Sequence, residues 1–237
     1  MGESSLDTMT GTGASTRAVR RVDAALASRY GAKKQGRRED PLDGLIKTIL
    51  SQNTTDVNSH AAFASLKRRF PEWEQARRAR TASIAGAIQS GGLANIKSRR
   101  IKTILQQLHA ERGRLSLDFL KRWSIEKATD YLVSLEGVGR KTAACVLLFN
   151  LGRSVFPVDT HVFRVATRLD WLPPGADPDK AHDELAALVP PELHYQLHLN
   201  MVAHGRELCR PRNPKCGGCP LLDWCAYGQE RVRRGEA

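Results

Sequence analysis

The chain has 237 residues, 41% of them hydrophobic, enough to bury one sizeable core or two modest ones. Its 37 Lys and Arg against 25 Asp and Glu give a formal charge of +12, which points to an anionic partner, nucleic acid foremost, without separating DNA from RNA or from an acidic protein. No apolar run approaches the roughly 20 residues that span a bilayer, and the polar opening MGESSLDTMTGTGAS lacks the basic start and apolar core of a secretory signal.

Residues 1–16 read as a disordered tail, and Leu6 stands where a myristoylation pattern needs Ser or Thr. Basic runs at 17–21, 33–38, 66–70 and 76–80 each read most simply as solvated helix faces. After Pro41, residues Leu42, Leu45, Ile46, Ile49 and Leu50 repeat with helical period, and the helix should end near SQNTTD, whose residues prefer caps and turns. The same period returns at Ile101, Ile104, Leu105 and Leu108, at Ala128, Tyr131, Leu132 and Leu135, and from Thr142 through Leu148. In DPDKAHDELAALV (177–189), Asp177 is a candidate N-cap with Pro178 at the first helical position. Strand-like alternation is nearly absent, so the expectation is an all-α protein of many short helices.

LEGVGRKTAACVLL (135–148) joins an amphipathic helix to a second helix through Gly137, Val138 and Gly139. Glycines there can adopt positive φ or admit a close backbone, and the N–H groups of such a turn can point at a phosphate. A plain glycine C-cap is the alternative. Lys141 follows about one turn into the second helix. There the helix dipole disfavours an ammonium, and a neutral amine could attack a carbonyl-like carbon to form a Schiff base; a lysine that only binds phosphate would stay charged. Farther on, VDTHVFRV places Asp159 before an amphipathic segment, where an N-cap is the simplest role. His194 and His198 stand at i, i+4 with no evident acidic third ligand and read as structural, and Cys145 reads as a core residue.

Cys209, Cys216, Cys219 and Cys225 have the spacing C-x6-C-x2-C-x5-C. That is a metal-site pattern in a chain otherwise nearly free of cysteine. Four thiolates suit tetrahedral zinc or an iron–sulfur cluster, and spacing alone leaves zinc slightly ahead.

Taken together, LEGVGRKTA, VDTHVFRV and HGRELC leading into the four cysteines resemble the endonuclease III family of DNA glycosylases over roughly residues 20–228. The resemblance implies a two-domain helix-hairpin-helix glycosylase fold with a DNA groove between a helical barrel (40–152) and an iron–sulfur domain (17–39 plus 153–228), and a tail at 229–237. It reverses the zinc preference in favour of a 4Fe-4S cluster on Cys209, Cys216, Cys219 and Cys225. It also implies a monomeric, intracellular glycosylase and AP lyase acting on double-stranded DNA that contains damaged pyrimidines or abasic sites.

In that family pattern Lys141 is the catalytic lysine and Asp159 the catalytic aspartate. Gly137, Val138, Gly139 and Arg140 grip the DNA backbone, and Leu93 wedges into the duplex. Asn53 stands where some members have a glutamine that fills the vacated space. Arg212 and Lys215, with Arg210, lie on the cysteine loop within reach of phosphates. Glu136 stands where the hairpin often has proline. A mismatch or pyrimidine-dimer glycosylase of the same superfamily, or a DNA-binding module without catalysis, are the rival readings; Lys141 counts against the adenine-specific branch.

Overall fold

The computed structural model describes residues 14–236. Among them the regular elements are all helical, from full α-helices to single 3₁₀ turns. No described helix is long and apolar enough to cross a membrane. Arg37–Arg153 form one compact unit, and the described residues of Met1–Gly36 and Ser154–Ala237 form a second.

Helix α1 (Thr16–Tyr30) opens the chain, with the Ser15 hydroxyl accepting from the Ala18 N–H at 3.3 Å. Of the tail expected over residues 1–16, residues 1–13 lie outside the described ones. Residues 14–16 instead belong to the start of α1, where a side-chain cap satisfies one of the free N–H groups and Ala14 is buried.

The unit Arg37–Arg153 begins with α2 (Pro41–Ser51). Asp40 Oδ1 accepts from Leu42 N–H at 2.9 Å and Asp43 N–H at 3.1 Å, and Pro41 occupies the first turn, where its missing N–H costs nothing. The five apolar residues of its expected stripe are fully buried. Then come α3 (Asp56–Arg69), α4 (Trp73–Arg78), α5 (Thr81–Ala87), α6 (Ala94–Arg112), α7 (Ile125–Ser134) and α8 (Arg140–Cys145).

Helix α2 packs against α3, α6 and α8, and Ile101, Ile104, Leu105 and Leu108 of α6 are likewise fully buried. Cys145 is a buried core residue. Beyond it the helix widens over Val146–Asn150, where Leu151 N–H reaches back five residues to the Val146 carbonyl at 3.1 Å.

The second unit adds α9 (Thr160–Arg168), α10 (Ala181–Leu188), α11 (His194–Glu207) and α12 (Ala226–Arg233). Helix α11 packs on α1 and α9, around a core that includes Val22, Leu26, Phe156, Val162, Leu197 and Met201. Two sequence expectations need correction here. Helix α10 starts at Ala181 rather than Pro178, because Asp177 Oδ1 accepts from Asp179 N–H at 2.7 Å and so closes a preceding turn. The tail expected from residue 229 is instead the body of α12, held by Gln229 Nε2 donating to the carbonyls of Leu222 and Asp223, both at 3.1 Å, and by Glu230 pairing with Arg233 and Arg234. His194 and His198 are buried and bond the carbonyls of Val189 and Pro157 at 3.0 and 2.9 Å, a structural use of both rings.

Candidate active site and cysteine loop

The hairpin lies between α7 and α8. Ser124 caps α7 through the Lys127 N–H at 3.2 Å. At its other end Val138 N–H donates to the Leu135 carbonyl at 3.1 Å, closing a four-residue turn with Gly137 third at φ 77°. Positive φ at the third residue but not at the second makes this hydrogen-bonded turn type II, and its second position, held by Glu136, is the one proline favours. The proline of the family pattern and the exposed Glu136 therefore serve the same turn.

The two glycines differ. Gly137 is required twice, by its φ and because an added Cβ would lie 2.4 Å from Arg100 Cδ. Gly139 has φ −94° and ψ 176°, extended backbone open to any residue, with nothing within 4 Å of an added Cβ. Of the two uses expected of these glycines, Gly137 takes the positive φ, and Gly139 keeps room for a close backbone. Gly139 leaves open space beside the N-terminus of α8. Arg140 and Lys141 are the first two residues of that helix, both half-buried.

Two further loops of the same unit carry Asn53 and Leu93. Both residues have left-handed backbone, with φ 52° and 48°. Asn tolerates this conformation, whereas for leucine it is strained. Leu93 is nevertheless 50% exposed at the start of α6, so the fold holds an apolar side chain outward at some cost. Asn53 is also exposed.

Behind these loops stand polar residues that no sequence motif marked. Gln52 Nε2 donates to the Gly137 carbonyl at 3.2 Å, and its Oε1 accepts from Arg100 at 3.1 Å. Gln52 thus ties the end of α2 to both the hairpin and α6. Lys97 is buried on the apolar side of α6. One signal could have found it: Lys97 continues the Ile101, Ile104, Leu105, Leu108 stripe at i, i+4, i+7, i+8, i+11, so its position is a core position.

Asp159 belongs to the second unit, where it is the N-cap of α9. Its Oδ1 accepts from His161 N–H at 2.9 Å and Val162 N–H at 2.8 Å. Both contacts use one oxygen, and among the described residues Oδ2 takes no hydrogen bond. The carboxylate is half-buried, so the cap fixes its orientation while Oδ2 stays available. One helical turn on, Arg164 is bound to the carbonyls of Cys209 and Gly205, both at 2.8 Å, and burial lowers its pKa from the usual arginine range.

The four cysteines line one largely apolar pocket with Val165, Leu208 and Leu221. The Cys219 sulfur receives the Leu221 N–H and the Cys225 sulfur the Gly228 N–H, both at 3.4 Å, while Arg168 Nη1 approaches the Cys209 sulfur at 3.2 Å. Such donors favour thiolates. As free thiols, Cys219 is pushed up to about 11 by burial, and burial also raises Cys216 and Cys225, so a metal centre must displace protons to bind.

Four thiols around one pocket, with N–H donors aimed at their sulfurs, fit a thiolate-bound cluster. Arg210, Arg212 and Lys215 are exposed on the intervening loop, whose carbonyls at 210 and 211 accept from Arg168 at 2.8 and 3.3 Å.

Residues 46–191 match the model of the HhH-GPD superfamily of base excision DNA repair proteins. The endonuclease III of Sulfolobus acidocaldarius is 32% identical over 84% of this chain and 87% of its own length. The chain belongs to the HhH-GPD superfamily. Residues 209–225 match the iron–sulfur binding domain of endonuclease III, so this HhH-GPD protein is of the type that carries a 4Fe-4S cluster, and the small advantage spacing gave zinc is overturned.

An Arabidopsis thaliana protein assigned by name as a DNA glycosylase is 48% identical over 71% of the chain, which spans 57% of that relative's length. Among solved structures, a trapped endonuclease III–DNA covalent intermediate superposes with a TM-score of 0.76 at 26% identity, covering 92% of this chain and 99% of that one. The all-helical HhH-GPD fold expected from the sequence is therefore the fold observed.

Proposed function

We propose that this protein is a bifunctional DNA glycosylase and AP lyase that removes oxidised or otherwise damaged pyrimidines from double-stranded DNA. The reading is carried by Lys141, which stands in the first turn of α8 directly after a hairpin whose Gly139 leaves open space. The charge of +12 and the likeness to an enzyme trapped covalently on DNA support it. We assign Arg37–Arg153 as the helical-barrel domain and the other unit as the iron–sulfur domain.

The damaged nucleotide leaves the stack at a cost of a few kcal/mol, least for a base already poorly stacked. Leu93 and Asn53 fill the space it vacates. The backbone of Gly137, Val138, Gly139 and Arg140 holds phosphates without reading sequence. Asp159 takes a proton from Lys141, and the neutral amine attacks C1′. The bond from C1′ to the base breaks, and the base leaves with the bonding pair and gains a proton. Asp159 also offsets positive charge developing on the sugar. Cleavage of C1′–O4′, with loss of the second amine proton to O4′, leaves a Schiff base. Loss of a proton from C2′ expels the 3′ phosphate by β-elimination, and water releases Lys141.

When bound, the 4Fe-4S cluster supplies a structural crosslink rather than reaction chemistry. Cys209, Cys216, Cys219 and Cys225 hold it, and Arg212 and Lys215, with Arg210, meet phosphates from the loop.

Borohydride decides the reading. The wild-type protein is expected to become covalently trapped on abasic DNA and Lys141→Gln is not; equal trapping of both would remove Lys141 as nucleophile.

A further inference from the structure

Lys97 has no part in the chemistry above, yet it is 1% exposed in the unit Arg37–Arg153. Its Nζ donates to the Leu50 carbonyl at 2.7 Å and the Gly91 carbonyl at 2.8 Å. Among the described residues no carboxylate pairs with it. Burial lowers its pKa from the usual lysine range, and nearby Arg100 adds to the effect. An uncompensated lysine is a poor core residue, and a leucine or methionine on the same stripe would suit α6 better.

The two carbonyls explain what it does. Leu50 lies in the last turn of α2, three residues before Asn53. Gly91 ends the short 3₁₀ turn Gln89–Gly91, two residues before Leu93. One buried amine therefore binds the roots of the two loops of this unit that carry an exposed non-glycine side chain on left-handed backbone. The two roots also meet at Gly91, where an added Cβ would lie 4.0 Å from the Leu50 carbonyl oxygen and 3.0 Å from Ala62 Cβ of α3.

We propose that Lys97 is a positioning residue that fixes the distance between Leu93 and Asn53, and so sets how the enzyme holds open the gap left by an extruded nucleotide. The proposal rests on the glycosylase reading. Two carbonyl dipoles aimed at one point repel each other, and the amine between them turns that repulsion into a clamp. Without it the loops separate, and a displacement near 1 Å at a positioning group is enough to lower turnover about a hundredfold.

Lys97→Met keeps the apolar stem and removes the donors. Excision of dihydrouracil from a duplex is expected to fall about tenfold to a hundredfold, mainly in kcat, because the open state is assembled less often. Borohydride trapping on a single-stranded abasic oligonucleotide, which has no stack to open, should stay within about twofold of wild type. In a Leu93→Ala background the same change should add less than about twofold, since both act on one step. Amide hydrogen exchange, read without DNA, should rise together in residues 51–56 and 89–94 while residues 101–108 keep their protection.

Equal losses on both substrates, additive effects in the double variant, or an exchange increase spread along α6 would each overturn the proposal. Should Lys97→Met not fold, Lys97→Gln is tested in its place against the same outcomes. Failure of the wild type to be trapped on abasic DNA, duplex as well as single-stranded, would instead sink the glycosylase reading, and the exchange experiment would still decide whether Lys97 clamps the two loops.

Discussion

The side chain of Gln52 bonds the Gly137 carbonyl across 85 residues of sequence, at 3.2 Å, while accepting from Arg100 at 3.1 Å. Arg100 in turn packs where a Cβ on Gly137 would lie. The hairpin is therefore shaped from behind by two residues from elsewhere in its unit, one just past the end of α2 and one in α6. Gly137→Ala is expected to destabilise the protein by about 1–3 kcal/mol, through positive φ and collision with Arg100. Gly139→Ala should leave thermal stability nearly unchanged and weaken DNA binding by obstructing the open side of the turn. Thermal melts alongside DNA titrations would show the contrast; matched losses of stability in the two variants would refute it.

Asp159 separates a fold role from a chemical one. Asn caps a helix about as well as Asp, and only Oδ1 is used in the cap. Asp159→Asn should thus melt within about 0.5 kcal/mol of wild type while excision falls by about 10² to 10⁴. Asp159→Ala should lose the cap as well, at about 1 kcal/mol. Full activity in the Asn variant would leave Asp159 as a cap alone.

The cysteine pocket predicts a brown protein with iron and sulfide near ~4:4. Cys219→Ser should lower cluster occupancy, and cluster loss should expose loop 210–215 to proteolysis, because Cys209 and Cys216 then no longer anchor its ends. A colourless zinc protein would contradict the assignment. Unchanged proteolysis after cluster removal would mean that hydrogen bonds from Arg168, Arg164 and the Lys215 N–H hold the loop without it.

His194 adds an acid sensitivity. Burial lowers its pKa from the ordinary 6.5, and its Nδ1 is buried without a hydrogen-bond partner among the described residues. The unfolded chain then takes up this proton more readily than the folded one. The contribution to stability is whole above pH 6.5 and is lost as pH falls towards the folded value. His194→Gln should flatten the decline in Tm between about pH 7 and 5; parallel declines in the two proteins would assign the sensitivity elsewhere.

Much of this protein is legible in order along the chain. The stripe of α2 announces five fully buried side chains, and that of α6 announces four. The glycine hairpin, Asp159 and the cysteine spacing are local patterns too. Other features misled or were silent. Asp177 has the chemistry of a helix cap but closes a turn, because Asp serves either use and its neighbours do not choose between them. Gln52 and Arg100 carry no motif, since what they do depends on partners that arrive from elsewhere in the chain. Leu93 resembled a wedge through its motif, but only the backbone, with φ 48°, shows a strained residue held outward.

The sequence by itself determined the helices, the turn chemistry of the hairpin and the set of four thiols, because periodicity, caps and ligand spacing are settled among residues a few positions apart. Tertiary structure decided which polar groups share a partner. Lys97 reaches a carbonyl 47 residues away on α2 and another six residues away before α6. Hydrogen bonds of that span leave no period in the sequence, and they become visible only once packing has excluded the water that would otherwise take their place.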